Sequence, residues 1–200
     1  MLRKLKHSLL PTGARVRRIP FGIGAGIKME IDFDHQTIVY LGMYERQLNK
    51  HLRAMVQKGT RCFDVGGCNG YDALIFAKLS GQEVVTFECD NSAIEPLRRN
   101  IALNTYGVRI IQTYVTDKLG PQTMTLDAAA ESIFMPDFIK LDIEGAEANA
   151  LKGARGLLAQ RKPHLIVETH GKQVEEECLA ILNSNGYRPQ VVQQSPWSRE

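Results

Sequence analysis

No apolar run in the 200-residue chain approaches the ~20 residues that a membrane-spanning helix needs. A helical membrane span is therefore not expected. Leu9-Leu10-Pro11 follows a basic start (Arg3, Lys4, Lys6) but is too short for a signal-peptide core. Cysteine is sparse: Cys62, Cys68, Cys89 and Cys178 form no CxxC pair, and no histidine pair accompanies them. Scattered thiols of this kind fit a reducing, cytoplasmic setting better than a disulfide framework. An excess of one charge is missing too. The formal net charge is +3, too small to imply a nucleic-acid partner. Most of that excess lies near the start, where Arg15, Arg17 and Arg18 follow the first cluster, so residues 1–20 read as a loose basic leader. Low-complexity segments, internal repeats and linkers are absent as well. What remains is ordinary globular composition, 44% hydrophobic and 24% charged, at a length that suits one α/β domain over residues 21–200 with its core in 59–193.

Residues 61–72, Arg-Cys-Phe-Asp-Val-Gly-Gly-Cys-Asn-Gly-Tyr-Asp, organise the rest. A short apolar run reaches Asp64, a glycine turn follows (Gly66, Gly67, Gly70), and Ala73, Leu74, Phe76, Ala77 and Leu79 then repeat with helical spacing. Strand, tight turn and helix in that order let a backbone approach a nucleotide-like ligand at the carboxyl end of the first strand. The spacing is Asp-x-Gly-x-x-x-Gly, not the Gly-x-Gly-x-x-Gly that seats a pyrophosphate on a helix N-terminus. An acid at the start of the loop suits a ligand with a cationic amino-acid portion and no phosphate, such as S-adenosylmethionine. An ordinary βα turn with a capping Asp is the plainer alternative.

The remaining chain alternates strand and helix. Ile27, Met29, Ile31 and Phe33 alternate with polar residues, which predicts a half-buried strand in an N-terminal hairpin. Gly42–Lys58 reads as a helix stopped by Gly59, with Glu45 on it facing either solvent or ligand. Val84–Glu88 is a continuous apolar strand ending in an acid about twenty residues past the loop, the usual partner of ribose hydroxyls. Further strands are expected at Val108–Val115, Phe138–Leu141, His164–Glu168 and Tyr187–Gln193. Helices are expected at 93–104, 123–131, 146–160 and 175–185. This pattern predicts a doubly wound, mostly parallel α/β sheet of Rossmann-like type with a short N-terminal strand and helix extension. Asp142, Glu144 and Glu147 crowd the exit of one strand, where ligands bind, and unpaired carboxylates there need a partner or water.

Taken together, Tyr-Leu-Gly-x-Tyr-Glu (40–45), Asp-Val-Gly (64–66) with Gly70, Phe-Glu (87–88), Thr-Leu-Asp (125–127), Ile-Lys-Leu-Asp-Ile-Glu-Gly-Ala-Glu (139–147) and Glu-Thr-His (168–170) resemble the FkbM-type S-adenosylmethionine-dependent methyltransferases. The resemblance runs over roughly residues 22–190 and implies a class I methyltransferase. Its usual reaction is O-methylation of sugars or secondary metabolites. It also implies that Asp64, Gly66 and Gly70 wrap the methionine portion, that Glu88 holds the ribose, that Asp117 lies near the adenine, and that Asp142 and Glu144 flank the methyl group. Where relatives usually carry a longer insertion, only Pro121–Met124 separates Gly120 from Thr-Leu-Asp, which implies an open acceptor pocket.

Transfer to a hydroxyl needs a base, and His170 and Asp142 are the candidates, with Glu144 nearby. Asp142, Glu144 and Glu168 are an oxygen-only set that could hold a divalent cation such as Mg²⁺. The expected partner is a small hydroxylated molecule. The amine-methylating Asn/Asp-Pro-Pro-Tyr-type loop is absent, since Asp142-Ile-Glu-Gly stands in its place. Two other classes stay open here: a nicotinamide-dependent oxidoreductase, disfavoured by the loop spacing, and a non-catalytic interaction module on the same fold.

Overall fold

Residues 12–193 are described in the computed structural model. Five short, mostly apolar strands form its central sheet, all parallel: β3 (Cys62–Val65), β4 (Val84–Glu88), β5 (Val108–Gln112), β8 (Phe138–Leu141) and β9 (His164–Val167). Their spatial order is β5-β4-β3-β8-β9. The chain thus starts in the middle, winds out to β5, then returns to the other side of β3. The crossover between β3 and β8 is a topological switch point, where open α/β sheets bind ligands.

Alternation along each strand divides the core in two. Cys62, Val84 and Phe138 join one buried cluster, with the N-terminal residues and helix α3 (Tyr71–Ser80). Phe63, Val65, Val85, Phe87, Ile139 and Leu141 point to the other. That second layer is built by α5 (Leu126–Ser132), α6 (Glu147–Lys152), α7 (Arg155–Gln160) and α8 (Lys172–Ser184). Both faces of the sheet are therefore covered, as the near-continuous apolar strands require. Between β4 and β5, helix α4 (Asn91–Ala102) starts at Asp90, whose carboxylate accepts the Ser92 N–H.

Before the sheet lies a small hairpin, β1 (Ala14–Arg18) paired antiparallel with β2 (Lys28–Asp32). The basic stretch read as a loose leader therefore contributes a strand from residue 14 onward, and its first eleven residues lie outside the described ones. A single turn of helix, α1 (Thr37–Tyr40), follows.

Several boundaries differ from the sequence reading, each for a visible reason. The helix expected over Gly42–Lys58 is only a 3₁₀ turn (Arg46–Leu48) and α2 (Asn49–Met55). Gly42 lies against the Phe21 backbone, and Glu45 takes a left-handed conformation, φ 45°, which breaks any helix. The helix expected over 146–160 is split at Gly153. A Cβ there would lie 2.2 Å from the Thr116 carbonyl oxygen, and its own carbonyl accepts the Asp127 N–H. The Asp127 carboxylate in turn accepts the Gly156 and Leu157 N–H groups at the start of α7. The strand expected over 108–115 stops at Gln112, and a two-residue strand β6 (Tyr114–Val115) turns away to pair with β7 (Thr123–Met124). Thr125 caps α5 by accepting the Ala128 N–H. Residues 187–193 form no strand: Pro189 has no N–H to give a ladder, and Val191 is exposed. Trp197 lies outside the described residues.

Candidate functional site

Period-two alternation and register build the site floor. Asp64 of β3 stands opposite Thr86 of β4 and Lys140 of β8, so all three project from one face of the sheet near its carboxyl edge. Thr86 Oγ1 donates to Asp64 Oδ2 at 2.9 Å, while Asp64 Oδ1 is buried without a hydrogen-bond partner. Lys140 is buried and gathers three carboxylates: Asp72 Oδ2 at 2.5 Å, Asp142 Oδ2 at 3.2 Å and Glu45 Oε2 at 3.5 Å. Asp72 comes from the first turn of α3, Asp142 from the exit of β8 and Glu45 from the bent N-terminal segment. One ammonium thus ties three parts of the chain together.

Burial alone would lower the Lys140 pKa, but Asp72, Glu45 and Asp142 hold it well above the ordinary lysine value. The acids outnumber it. Burial, with Asp72 nearby, pushes both Asp64 and Glu45 up to about 8. A folded state that keeps a proton on Asp64 up to about 8, against an unfolded pKa near ~3.9, loses stability as pH rises through that window. Denaturant melts at pH 5 and pH 8 should therefore show the wild type weaker at pH 8. Asp64→Asn should show a smaller fall; an equal fall in both proteins would refute the assignment.

Above this floor lies a cavity of about 560 Å³, walled by the glycine turn, the ends of β4 and β8, and residues 35–44 of the N-terminal segment. Gly66 (φ 101°) and Gly67 form its base; a Cβ at Gly67 would meet Thr86 Oγ1 at 2.4 Å. Glu88 closes one side. Its Oε2 accepts the Cys68 N–H and its Oε1 the Asp90 N–H, both at 2.7 Å, which clamps the glycine turn to the end of β4. Each oxygen keeps a further lone pair for a ligand hydroxyl. Charged residues on the wall are Asp72, Glu88, Asp90, Asp142 and Glu144, with no Lys or Arg among them.

The residues named from sequence divide into two groups. Gly66, Glu88, Asp142 and Glu144 line the cavity. Asp64 and Gly70 lie behind it, Gly70 as the left-handed residue that starts α3. Asp117 is exposed and off the cavity wall, where Thr113 and Tyr114 stand instead. His170 is likewise off the cavity wall, with its side chain 30% exposed. Its Nδ1 is 2.8 Å from Glu147 Oε1, and its Nε2 is 3.7 Å from both Asp142 Oδ1 and Glu144 Oε2.

The three carboxylates expected for a divalent cation do not converge. Glu144 takes a left-handed turn conformation and its side chain is 89% exposed. Among the described residues it is Glu45, Asp142 and Glu168 whose oxygens come within 4.8 Å of one another. Two of these already share the Lys140 ammonium, and a dication beside a buried ammonium is repelled at that range. The donor set does not suit a cation, and no step is routed through one.

Lys140 and Asp72 had no role in the sequence reading, although one signal was available. A lysine inside Phe-Ile-Lys-Leu, on a strand bound to be buried, must have carboxylate partners.

Comparison with known proteins points to the same fold. A family profile described as the methyltransferase FkbM domain matches residues 112–189. No curated protein matches the chain at a significant level. Among solved structures, methyltransferase FkbM from Methylobacillus flagellatus KT is similar with 22% identity and a TM-score of 0.53, over 62% of this chain and 37% of that one. This chain thus spans well under half of that relative's length. The Pyrococcus abyssi tRNA (uracil-54, C5)-methyltransferase, solved with S-adenosyl-L-homocysteine, gives a TM-score of 0.57 at 14% identity, over 87% of this chain and 39% of that one. Aeropyrum pernix fibrillarin, with natively bound S-adenosyl-L-methionine, gives 0.52 at 14% identity, over 73% of this chain and 65% of that one. At such identities the structural likeness speaks for the fold alone. Over residues 112–189 this chain is similar to the methyltransferase FkbM domain, and its Rossmann-like α/β fold is like that of the solved methyltransferases.

Proposed function

We propose that the chain binds S-adenosylmethionine in the cavity at the sheet's carboxyl edge and methylates a hydroxyl on a small molecule of the sugar or secondary-metabolite kind. The observation that carries this reading is Glu88, a carboxylate clamped by two backbone N–H groups across a glycine turn that leaves no room for side chains. Such a carboxylate is placed to accept both hydroxyls of a ribose. Gly66 and Gly67 would receive the amino-acid portion. Acids on the wall without a Lys or Arg favour a ligand carrying positive charge and oppose a pyrophosphate, which speaks against a nicotinamide dinucleotide.

When bound, the cofactor would supply an electrophilic methyl group to the acceptor oxygen, with the wall residues Glu88, Gly66 and Gly67 holding it. The protein holds the acceptor in line and removes its proton. Alignment contributes on the order of 7–11 kcal/mol in well-oriented cases, and a base adds about 10²–10⁴ in rate. Asp142 lines the cavity and is fixed by Lys140, which supports it as the carboxylate that would meet the acceptor proton, with His170 Nε2 3.7 Å from it.

Calorimetric titration with S-adenosylmethionine and S-adenosylhomocysteine should give micromolar binding, ~−8 kcal/mol. Glu88→Ala should weaken it about 10- to 100-fold, the worth of a hydrogen bond to a charged group at about 1.5–3 kcal/mol. NAD should not bind. A folded protein that binds NAD and neither adenosyl ligand would overturn the reading, and one that binds none would point to an interaction module.

A further inference from the structure

Glu147 follows the strand-exit turn, and its role is not exhausted by starting a helix. It is fully buried at the first position of α6. Its Oε1 accepts the Ile143 N–H at 3.2 Å and the Gly145 N–H at 3.1 Å, and it faces His170 Nδ1 at 2.8 Å. Oε2 is buried with no hydrogen-bond partner. The carboxylate is thus anchored by the loop that carries Asp142 and Glu144 and is aimed at one ring nitrogen of a histidine on the segment after β9.

We infer that Glu147 is a positioning residue that fixes His170 as its Nδ1–H tautomer, leaving the Nε2 lone pair to receive the acceptor's proton by way of Asp142. This rests on the methyl-transfer reading above, and it assigns a role to a residue that reading does not use. An ionised carboxylate only accepts, so the 2.8 Å contact places the proton on Nδ1. The opposite nitrogen then carries the lone pair, and it faces Asp142 Oδ1 and Glu144 Oε2 at 3.7 Å each. In one turnover the hydroxyl O–H bond breaks, the proton passes to the Asp142 carboxylate and then to Nε2, and Nδ1 keeps its own proton on Glu147. The ring leaves the step as an imidazolium between Glu147 on one side and Asp142 and Glu144 on the other. Those three carboxylates support its charge, in line with a His170 pKa above the ordinary value although burial opposes it. The placement explains why an acid is buried at the start of a six-residue helix: a cap needs no histidine, but a tautomer lock does.

The test is ¹⁵N NMR of the histidine ring at pH 9, on the full chain with and without saturating S-adenosylhomocysteine. The expected wild-type signature is a protonated Nδ1 and a bare Nε2 on His170. In Glu147→Gln the amide can present either its oxygen or its NH₂ to Nδ1, so the Nδ1–H share should drop at least twofold while S-adenosylhomocysteine affinity stays within twofold. A wild-type ring protonated on Nε2 alone, a ring still doubly protonated at pH 9, or a tautomer unchanged in Glu147→Gln would each overturn the inference. Should Glu147→Gln fail to fold, the wild-type signature decides by itself. If S-adenosylhomocysteine does not bind, the methyl-transfer reading fails, whereas the unliganded spectrum still reports on the Glu147–His170 lock.

Discussion

Lys140→Met is expected to destabilise the protein by about 3–5 kcal/mol, the usual result of removing one partner from a buried ion pair. Against a typical total of about 5–15 kcal/mol, that is between about a fifth and the whole of the margin. The size follows from how much one ammonium neutralises. Asp72, Asp142 and Glu45 all meet it, and Asp64 stands beside it in register on the same face. Methionine matches the length but offers no charge, so the acids face one another in a dry environment. Lowering the pH protonates them and should return part of the stability, so the deficit measured in guanidinium melts should be smaller at pH 5 than at pH 8. Adding Glu45→Gln to the methionine variant should likewise recover part of it by removing one unpaired acid. A Lys140→Met protein within about 1 kcal/mol of wild type at pH 8 would mean that water, not Lys140, solvates the cluster.

Gly66→Ala should abolish adenosyl-ligand binding, a loss above 100-fold or about 2.7 kcal/mol. A Cβ at this position would lie 1.8 Å from the Asp142 carbonyl oxygen and 2.8 Å from its carbon. That obstacle is backbone, so no rotamer change relieves it. The Gly66 φ of 101° is also strained for any residue with a side chain. Either the turn or the β8 exit must move, and both line the cavity. Gly59→Ala supplies the control. Its φ is 90° but nothing lies within 4 Å of the added carbon, so it should cost about 1 kcal/mol of stability and leave ligand affinity alone. Unchanged S-adenosylhomocysteine affinity in a folded Gly66→Ala variant would remove the glycine turn from the binding site.

Periodicity and turn chemistry alone were enough for much of this molecule. Strands β3, β4, β8 and β9 and helices α3, α4 and α8 follow from short apolar runs, glycine punctuation and 3.6-residue spacing, which are local properties. Gly66, Glu88 and Asp142 were legible for the same reason: each sits at a strand's carboxyl end, and in a parallel sheet those ends share one edge. Local pattern was silent where distant segments had to meet. It could not show that Gly153 must make room for Thr116, or that Glu45 bends out of a helix toward Lys140. It left residues 187–193 looking like a strand, because β-propensity does not report whether a neighbouring edge is available.

Charge was the part that tertiary structure decided. From sequence, the acids at 142, 144 and 168 looked like a cation set. In the folded chain Lys140 meets Asp142 together with Asp72 and Glu45, Glu144 is exposed, and Glu147 is turned inward to a histidine. Hydrophobic burial depends mainly on which face a residue occupies, and the face can be read from a one-dimensional pattern. The state of a carboxylate depends on what lies within a few ångströms of it, and only the packed chain determines that distance.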